Sequence, residues 1–270
     1  MKKIIALVLA VAMIASVAML AGCGNSNQGK DDAKATADSK KADKLTMATN
    51  AYFVPYEYYE GTDIVGIDVE IAKAIADKLG MELEVVDIEF DSIITGVQTG
   101  KYDMGMAGLT VTDERKQSVD FSDSYATGIQ SIIVKEGSPI TSTDDILAAD
   151  AQYKIGVQLS TTGDLAISED YEKAGKSDDL ITRFTTANDA VSALGSGKID
   201  AVIIDNEPAK SYAAANEGMK VLSTEYLSEN YAICFAKNNT ELKDKVNGAL
   251  KELIADGTVK NIIDKYIKAN

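Results

Sequence analysis

With 270 residues, 46% of them hydrophobic and 26% charged, the chain is long enough for two lobes and ordinary for a globular protein with a proper core. Its 42 acidic and 27 basic side chains leave a formal charge of −15, which argues against nucleic acid and anionic lipid headgroups as partners. Histidine is absent, so the commonest general base and the commonest metal ligand are both missing.

Met1-Lys2-Lys3, followed by an apolar run from Ile4 to Leu20, reads as a secretory signal. The run is close to the shortest membrane-spanning helix, so a retained anchor is the competing account. The residues at the end of the run separate the two. Leu20-Ala21-Gly22-Cys23 resembles the bacterial lipobox, with small residues before a cysteine at the end of the apolar run. The resemblance implies a signal peptide over 1–22 and lipidation of Cys23. Two or more acyl chains would then hold the mature chain on the outer face of the cell membrane. Removing Lys2 and Lys3 leaves 25 basic against 42 acidic side chains, a charge near −17. From Gly24 to about Asp43 there is no large apolar residue, so 23–43 is expected to be the lipidated cysteine and a disordered tether. Cys234 is then alone in the apolar run Tyr231–Ala236, where inert core is expected, with no disulfide and no metal site.

Leu45 to Ala48 reads as a short strand, followed by an aromatic loop, Thr49 to Tyr59, that Pro55 keeps from being helical. Phe53 is the loop residue expected at a ligand surface. Next comes a helix capped by Asp68, with Ile71, Ala72, Ile75, Ala76 and Leu79 on its apolar face and Gly80 at its end. Met81 to Val86 alternates as a strand, and Asp91 caps a second helix that ends at Gly100. Tyr102 to Ala107 is an apolar strand. The order β-α-β-α-β implies a parallel sheet with ligands at the carboxyl ends of its strands.

That third strand leads into Gly108-Leu109-Thr110-Val111-Thr112-Asp113-Glu114-Arg115. Thr112 reads as a helix N-cap, with two acids in the first turn. Arg115 then lies beside N–H groups that have no partner inside the helix, a receptor suited to a carboxylate. On local sequence alone, a capped helix with a surface arginine is the simpler account.

Gln130 to Val134 is a further strand, and Asp144 to Leu147 a capped helical turn. Ile155 to Val157 is a strand, and Ser160-Thr161-Thr162-Gly163-Asp164 a polar turn into a helix, again receptive to an anion. Asp189 caps a helix closed by Gly195 and Gly197. Ala201 to Ile204 is a strand ending at Asp205, an acid placed to meet a cation. Near the end, Tyr231 to Phe235 is a strand, Thr240 opens an amphipathic helix, and Gly257 breaks it before a last helix, Val259 to Ile267. The acids Glu57, Glu60, Asp144, Asp145, Asp178 and Asp179 lack calcium-loop spacing and read as solvated faces.

An internal echo organises these elements. Gly100-Lys101-Tyr102-Asp103-Met104 recurs as Gly197-Lys198-Ile199-Asp200-Ala201, and Lys44-Leu45-Thr46-Met47 as Lys154-Ile155-Gly156-Val157. Two similar α/β lobes fit this better than a solenoid does. Facing each other, they would bring Arg115 and Asp205 to one cleft.

From about Lys44 to Lys268 the chain resembles the extracellular solute-binding proteins of polar amino-acid ABC transporters, in the branch with glutamine-, histidine- and lysine/arginine/ornithine-binding members. The resemblance rests on Thr49-Asn50-Ala51-Tyr52-Phe53-Val54-Pro55-Tyr56-Glu57, Gly66-Ile67-Asp68-Val69-Glu70, Phe90-Asp91, Leu109 through Lys116, and Asp120-Phe121-Ser122. Gly156-Val157 with Thr161-Thr162, and Asp200-Ala201 with Asp205, continue it.

The resemblance implies an α/β, two-lobed periplasmic-binding-protein-like fold, with two α/β lobes joined by two hinge strands. Lobe 1 would be 44–131 and 229–270, and lobe 2 would be 132–228. It implies that Arg115, Thr110 and the Thr162 turn hold the ligand α-carboxylate. Asp205 and the Gly108 carbonyl would take the α-ammonium, and Phe53 and Phe90 would sandwich the side chain. Hinge closure on an L-amino acid, delivery to an ABC permease and a monomeric, membrane-tethered chain without cofactor come with the same likeness.

Asn50 stands where members that bind cationic side chains usually have Asp, which favours an uncharged polar ligand such as glutamine. Gln158 is expected at the far end of the pocket. Two other functions compete: a sensor acting through a receptor partner, and a dehydratase-like enzyme on the same scaffold. The enzyme needs a proton donor aimed into the cleft. With no His, and with Asp205 better used on an ammonium, a binding protein is the reading carried forward.

Overall fold

The computed structural model describes residues 43–267; the expected signal peptide, Cys23 and the tether up to residue 42 lie outside the described residues. β1 (Lys44–Thr49) opens the fold. A three-stranded antiparallel ribbon comes next, β2 (Tyr52–Phe53), β3 (Glu57–Glu60) and β4 (Asp63–Val65). The sequence pattern suggested only an aromatic loop here. Cross-strand pairing of Tyr52 with Tyr58 makes it a ribbon instead, because aromatic side chains stabilise such pairs. The first α/β unit then runs α1 (Ile67–Leu79), β5 (Glu82–Asp87), α2 (Phe90–Gln98), β6 (Met104–Gly105), α3 (Arg115–Ser118) and the long β7 (Val119–Lys135). The second comprises α4 (Thr143–Leu147), β8 (Ile155–Gln158), α5 (Thr162–Lys173), β9 (Ile181–Phe184), α6 (Ala187–Gly195), β10 (Ala201–Asp205), α7 (Asn206–Ala215) and β11 (Met219–Val221). The chain returns through β12 (Leu227–Ala236) to α8 (Thr240–Ala255) and α9 (Thr258–Tyr266).

The strands lie in the order β5-β1-β6-β12-β7-β10-β8-β9, with β11 beside β7. Pairing is parallel in β5-β1-β6 and in β10-β8-β9, as the β-α-β order predicts. Between these two parallel parts, β12 and β7 run antiparallel to each other and to their flanking neighbours, which the β-α-β order does not reach. The cause is the length of β7: residues 119–130 pair with β12, and residues 130–134 pair with β10. Gln130 is the point of transfer, opposite Leu227 on one side and Asp205 on the other.

Two lobes form around this pair of crossing strands. In the first, α1, α8 and α9 cover one sheet face over Leu45, Met47, Ile71, Ile75 and Phe235, while α2 covers the other over Ile93, Val97 and Cys234. In the second, Ile132, Ile155, Val157, Ile167 and Tyr171 fill one side, and Val191, Leu194, Val202 and Ile204 the other. Burying each such Ile or Leu contributes about 1.5–3 kcal/mol.

The echo has a structural counterpart. Gly100 and Gly197 both take the left-handed conformation with φ 73° after a helix, which glycine adopts without a Cβ penalty. In each copy the following Asp then ties the turn to the opening strand. Asp103 accepts the Thr46 N–H at 2.7 Å, and Asp200 accepts the Lys154 N–H at 2.7 Å. This tie also shortens the expected strand Tyr102–Ala107 to Met104–Gly105, because Tyr102 and Asp103 belong to the turn and Gly108, with φ 53°, bends the far end away.

Three expected caps are corrected. Gly66, Glu89 and Thr186 occupy the N-cap positions, and Asp68, Asp91 and Asp189 sit inside the first turn. At α6 the Thr186 hydroxyl accepts the Asp189 N–H, so the hydroxyl three residues earlier takes the capping role and the acid answers it. Asp68 is turned into the core instead, fully buried.

A candidate ligand cleft between the lobes

The segment after β6 is placed by β12. Thr110 bridges to Tyr231, the Val111 N–H donates to Asn230 O at 3.0 Å, and the Ala232 N–H donates to Leu109 O at 3.1 Å. From there the chain turns into α3, whose N-cap position falls on Glu114 and not on the expected Thr112, although Thr112 Oγ1 still accepts the Arg115 N–H at 3.1 Å. On the other lobe, β8 ends at Gln158 and runs through Ser160 into α5. Ser160 adopts φ 62°, unusual for a residue with a Cβ. Asp164 holds that turn, taking the Ser160 N–H at 2.9 Å while its other oxygen takes Arg183 Nε at 2.8 Å.

Between these turns lies a cleft with an empty volume of about 320 Å³, lined by Asn50, Phe53, Glu57, Phe90, Ala107, Gly108, Thr110, Gln158, Thr161, Thr162 and Asp205. Eight of the nine residues singled out from sequence therefore share one cleft wall, although Thr110 and Thr162 are 52 positions apart and Asn50 and Asp205 belong to different lobes. Arg115 is the exception and lies just behind the wall. Its guanidinium sits 5.5 Å from the Phe90 ring centroid and donates to Thr110 O at 2.9 Å and to Ser160 O at 3.0 Å. It is buried, so the surface arginine of the simpler local account is excluded.

The lobes meet across the cleft. Gln158 Nε2 donates to Asn50 Oδ1 at 3.0 Å, the Thr162 hydroxyl donates to Thr110 Oγ1 at 2.7 Å, and Arg115 reaches Ser160 O. Each neutral bond of this kind contributes about 0.5–1.5 kcal/mol net, and the charged one more. This is a closed arrangement of modest strength, the kind a ligand's own bonds can bias.

Carboxyl groups dominate the surroundings. Glu57, expected on a solvated face, is instead 1% exposed and lines the cleft, because the ribbon folds β3 inward over α1. Burial, and then Asp68 beside it, push the Glu57 carboxyl well above its usual range. Asp68 is itself raised to about 6, chiefly by burial, although it accepts the Gly108 N–H at 2.9 Å and the Tyr125 hydroxyl at 2.8 Å. A protonated Glu57 donating to Asp68 accounts for two of the three buried carboxyl oxygens here that otherwise lack a partner. Glu229, buried on β12, accepts Gln130 Nε2 at 2.7 Å and the Thr110 hydroxyl. Asp205 accepts the Tyr231 hydroxyl. Gly128 makes room for that hydroxyl, since a Cβ there would come within 2.1 Å of it.

The residues missed from sequence are thus Glu57, Thr161, Gln130, Glu229 and Tyr231. Only Glu57, at the end of the Thr49–Glu57 motif, and Thr161, in the anion-receptive Ser160–Asp164 turn, carried any signal. The others gain their place through β-pairing and turns that join segments far apart in the chain. Among the described residues no three of His, Cys, Asp or Glu are grouped to hold a metal ion. Cys234 is buried and its thiol pushed up to about 12, chiefly by burial.

Residues 45–269 match the family of bacterial extracellular solute-binding proteins, family 3. The arginine-binding extracellular protein ArtP of Bacillus subtilis (strain 168) is 36% identical over 251 residues, 92% of each chain. The ABC transporter glutamine-binding protein GlnH of the same organism is 32% identical over 278 residues, 99% of this chain and 98% of GlnH. Among solved structures, an ancestral arginine-binding protein bound to arginine superposes with a TM-score of 0.77 and 38% identity, over 84% of this chain and 99% of that one.

Proposed function

The chain belongs to family 3 of the bacterial extracellular solute-binding proteins, and from that premise we propose that its cleft captures a polar L-amino acid and delivers it to an ABC permease. The observation that carries this is the meeting of Arg115, Thr110 and Thr162 with Asp205 around one small cleft. A guanidinium with free donors and the hydroxyls suit an α-carboxylate, an acid suits the α-ammonium, and the Phe53 and Phe90 rings suit the aliphatic stem between. Lobe 1 comprises 44–131 and 229–270 in this reading, and lobe 2 comprises 132–228. Closure takes place by hinge motion of β7 and β12. Cys23 is the lipid attachment site that keeps a monomeric protein near its permease at the outer face of the membrane.

For the side chain, the paired amides of Asn50 and Gln158 support an uncharged polar ligand such as glutamine, because each amide can donate and accept. A second reading, arginine, is favoured by Glu57, a buried carboxyl in the same wall whose proton a guanidinium would replace. A panel of the twenty amino acids read by thermal shift tests both, since a ligand bound by the folded state alone raises the melting temperature. A leading response to glutamine supports the first, a leading response to arginine supports the second, and no response to any amino acid overturns the proposal.

A further inference from the structure

Glu229 stands where ligand-facing groups of both lobes converge. Through Oε2 it orients the Thr110 hydroxyl, which in turn receives the Thr162 hydroxyl from the other lobe. Through Oε1 it holds Gln130, the residue at which β7 passes from β12 to β10. Asp205, at the end of β10, pairs with that same Gln130 and accepts the hydroxyl of Tyr231, two residues beyond Glu229 on β12, so the two buried carboxyl groups flank one short stretch of β7. Two carboxyl groups buried so near each other cannot both carry charge cheaply, so one keeps a proton. Capture of an amino acid by Arg115, Thr110, Thr162 and Asp205 leaves Glu229 without a task of its own.

We propose that Glu229 couples ligand capture to proton release: in the empty cleft it hydrogen-bonds a protonated Asp205 carboxyl, and the ligand's α-ammonium takes the place of that proton. This rests on the amino-acid reading of the cleft. The exchange is balanced. The O–H bond of Asp205 breaks, the proton leaves to solvent, and an ammonium N–H donates to the carboxylate that remains. Burial and Glu229 together hold Asp205 well above the usual carboxylate range, which agrees with the geometry. The charged and titratable groups that face the pair are Tyr231 on β12, Arg115 on α3, Tyr56 and Glu57 at the ribbon, Asp68 on α1 and Glu207 on α7. Arg115 is the one cation among them, and its guanidinium is engaged by Thr110 O and Ser160 O. The Tyr231 hydroxyl donates to Asp205 and favours its charged form, whereas the acids disfavour a second negative charge.

The test is calorimetric titration of the wild type with L-glutamine, and in parallel with L-arginine, at pH 6 in buffers of different ionisation enthalpy. The expected result is release of nearly one proton per ligand. The dissociation constant should also fall by up to about tenfold per pH unit as pH rises on the acidic side of the pair. Glutamine has an uncharged side chain, so its proton count excludes release from Glu57. Glu229→Gln is expected to bind more weakly and to release clearly fewer protons per ligand bound, a readout that a purely structural role would leave unchanged. Glutamine or arginine binding to the wild type without proton release overturns the proposal, as does a Glu229→Gln variant that releases as many protons as the wild type. Should that variant not fold, the wild-type proton count decides. Failure of every amino acid to bind is a separate outcome, which removes the amino-acid reading and this inference with it.

Discussion

Gln158 and Asn50 hydrogen-bond each other across the cleft, Nε2 to Oδ1 at 3.0 Å, although 108 residues separate them in the chain. Asn50 uses its own amide N–H on Ile88 O at 2.9 Å, and Gln158 also donates to Thr185 O at 3.0 Å, so both amides are fixed in orientation. The far end of the cleft is therefore a polar wall with one side chain from each lobe, without a formal charge on this pair. Replacing Asn50 by Asp keeps the acceptor for Gln158, loses the donor to Ile88 O and adds a negative charge. The preference of Asn50→Asp is expected to move at least tenfold toward arginine and lysine, relative to glutamine, in competitive binding. An unchanged ranking would remove Asn50 from the selectivity argument.

Arg115 bridges two backbone carbonyls that belong to different lobes, and it does so while buried. Hydrogen bonds to a charged group contribute about 1.5–3 kcal/mol each. Arg115→Ala is expected to weaken binding of any amino acid by at least about a hundredfold and to abolish the thermal shift. Arg115→Lys should recover little, because one ammonium cannot span both carbonyls as a planar guanidinium does. Near-native affinity in Arg115→Ala, measured by calorimetry, would contradict the role proposed for it.

Asp68 is raised from its ordinary 3.8 to about 6, chiefly by burial, with Glu57 raised beside it. A carboxyl whose folded-state value is raised contributes stability that is fully present below its unfolded value and is lost as pH rises through the folded one. The urea midpoint of the ligand-free protein is therefore expected to fall between about pH 4 and pH 7, with Asp68 contributing up to about 3 kcal/mol. Asp68→Asn retains an acceptor for Gly108 N–H and the Tyr125 hydroxyl and can donate to Glu57, so its pH dependence should be shallower. A profile as steep as the wild type's would show that the carboxyl pair is not its source.

Gly108 combines φ 53° with a tight approach: an added Cβ would lie 2.6 Å from Phe53 Cε1. A left-handed alanine costs about 1–2 kcal/mol, and the Phe53 ring would have to leave its place over the cleft. Gly108→Ala is expected to lower stability by about that amount and to weaken ligand binding more than tenfold. Retention of both, by melting and by calorimetry, would mean that neither the turn nor the ring position matters to the site.

Much of the fold was legible because its signals are local. Gly80, Gly100, Gly197 and Gly257 end helices through left-handed turns that glycine adopts most readily, and the apolar spacing of Ile71, Ala72, Ile75 and Ala76 marks the buried face of α1. The two Gly-Lys-x-Asp strands disclosed paired α/β units, and Arg115 and Asp205 were expected to face each other in a cleft for that reason, whereas Thr110 was implied only by the family resemblance. What failed locally failed where a neighbour in space decided. Thr186 took the cap from Asp189, and β12 drew Thr110 alongside Tyr231.

The sequence by itself therefore determined the elements, their doubling and the residue types that recognise an amino acid, since hydrophobic period, turn chemistry and strand ends are properties of short segments. Only the tertiary structure decided that Glu57 is a buried acid in the cleft wall. The same holds for Arg115, held between carbonyls of two lobes, and for Glu229, which joins Thr110 and Gln130. Burial and charge pairing depend on which distant segments the crossing strands β7 and β12 bring within a few ångströms, and no local pattern encodes that distance.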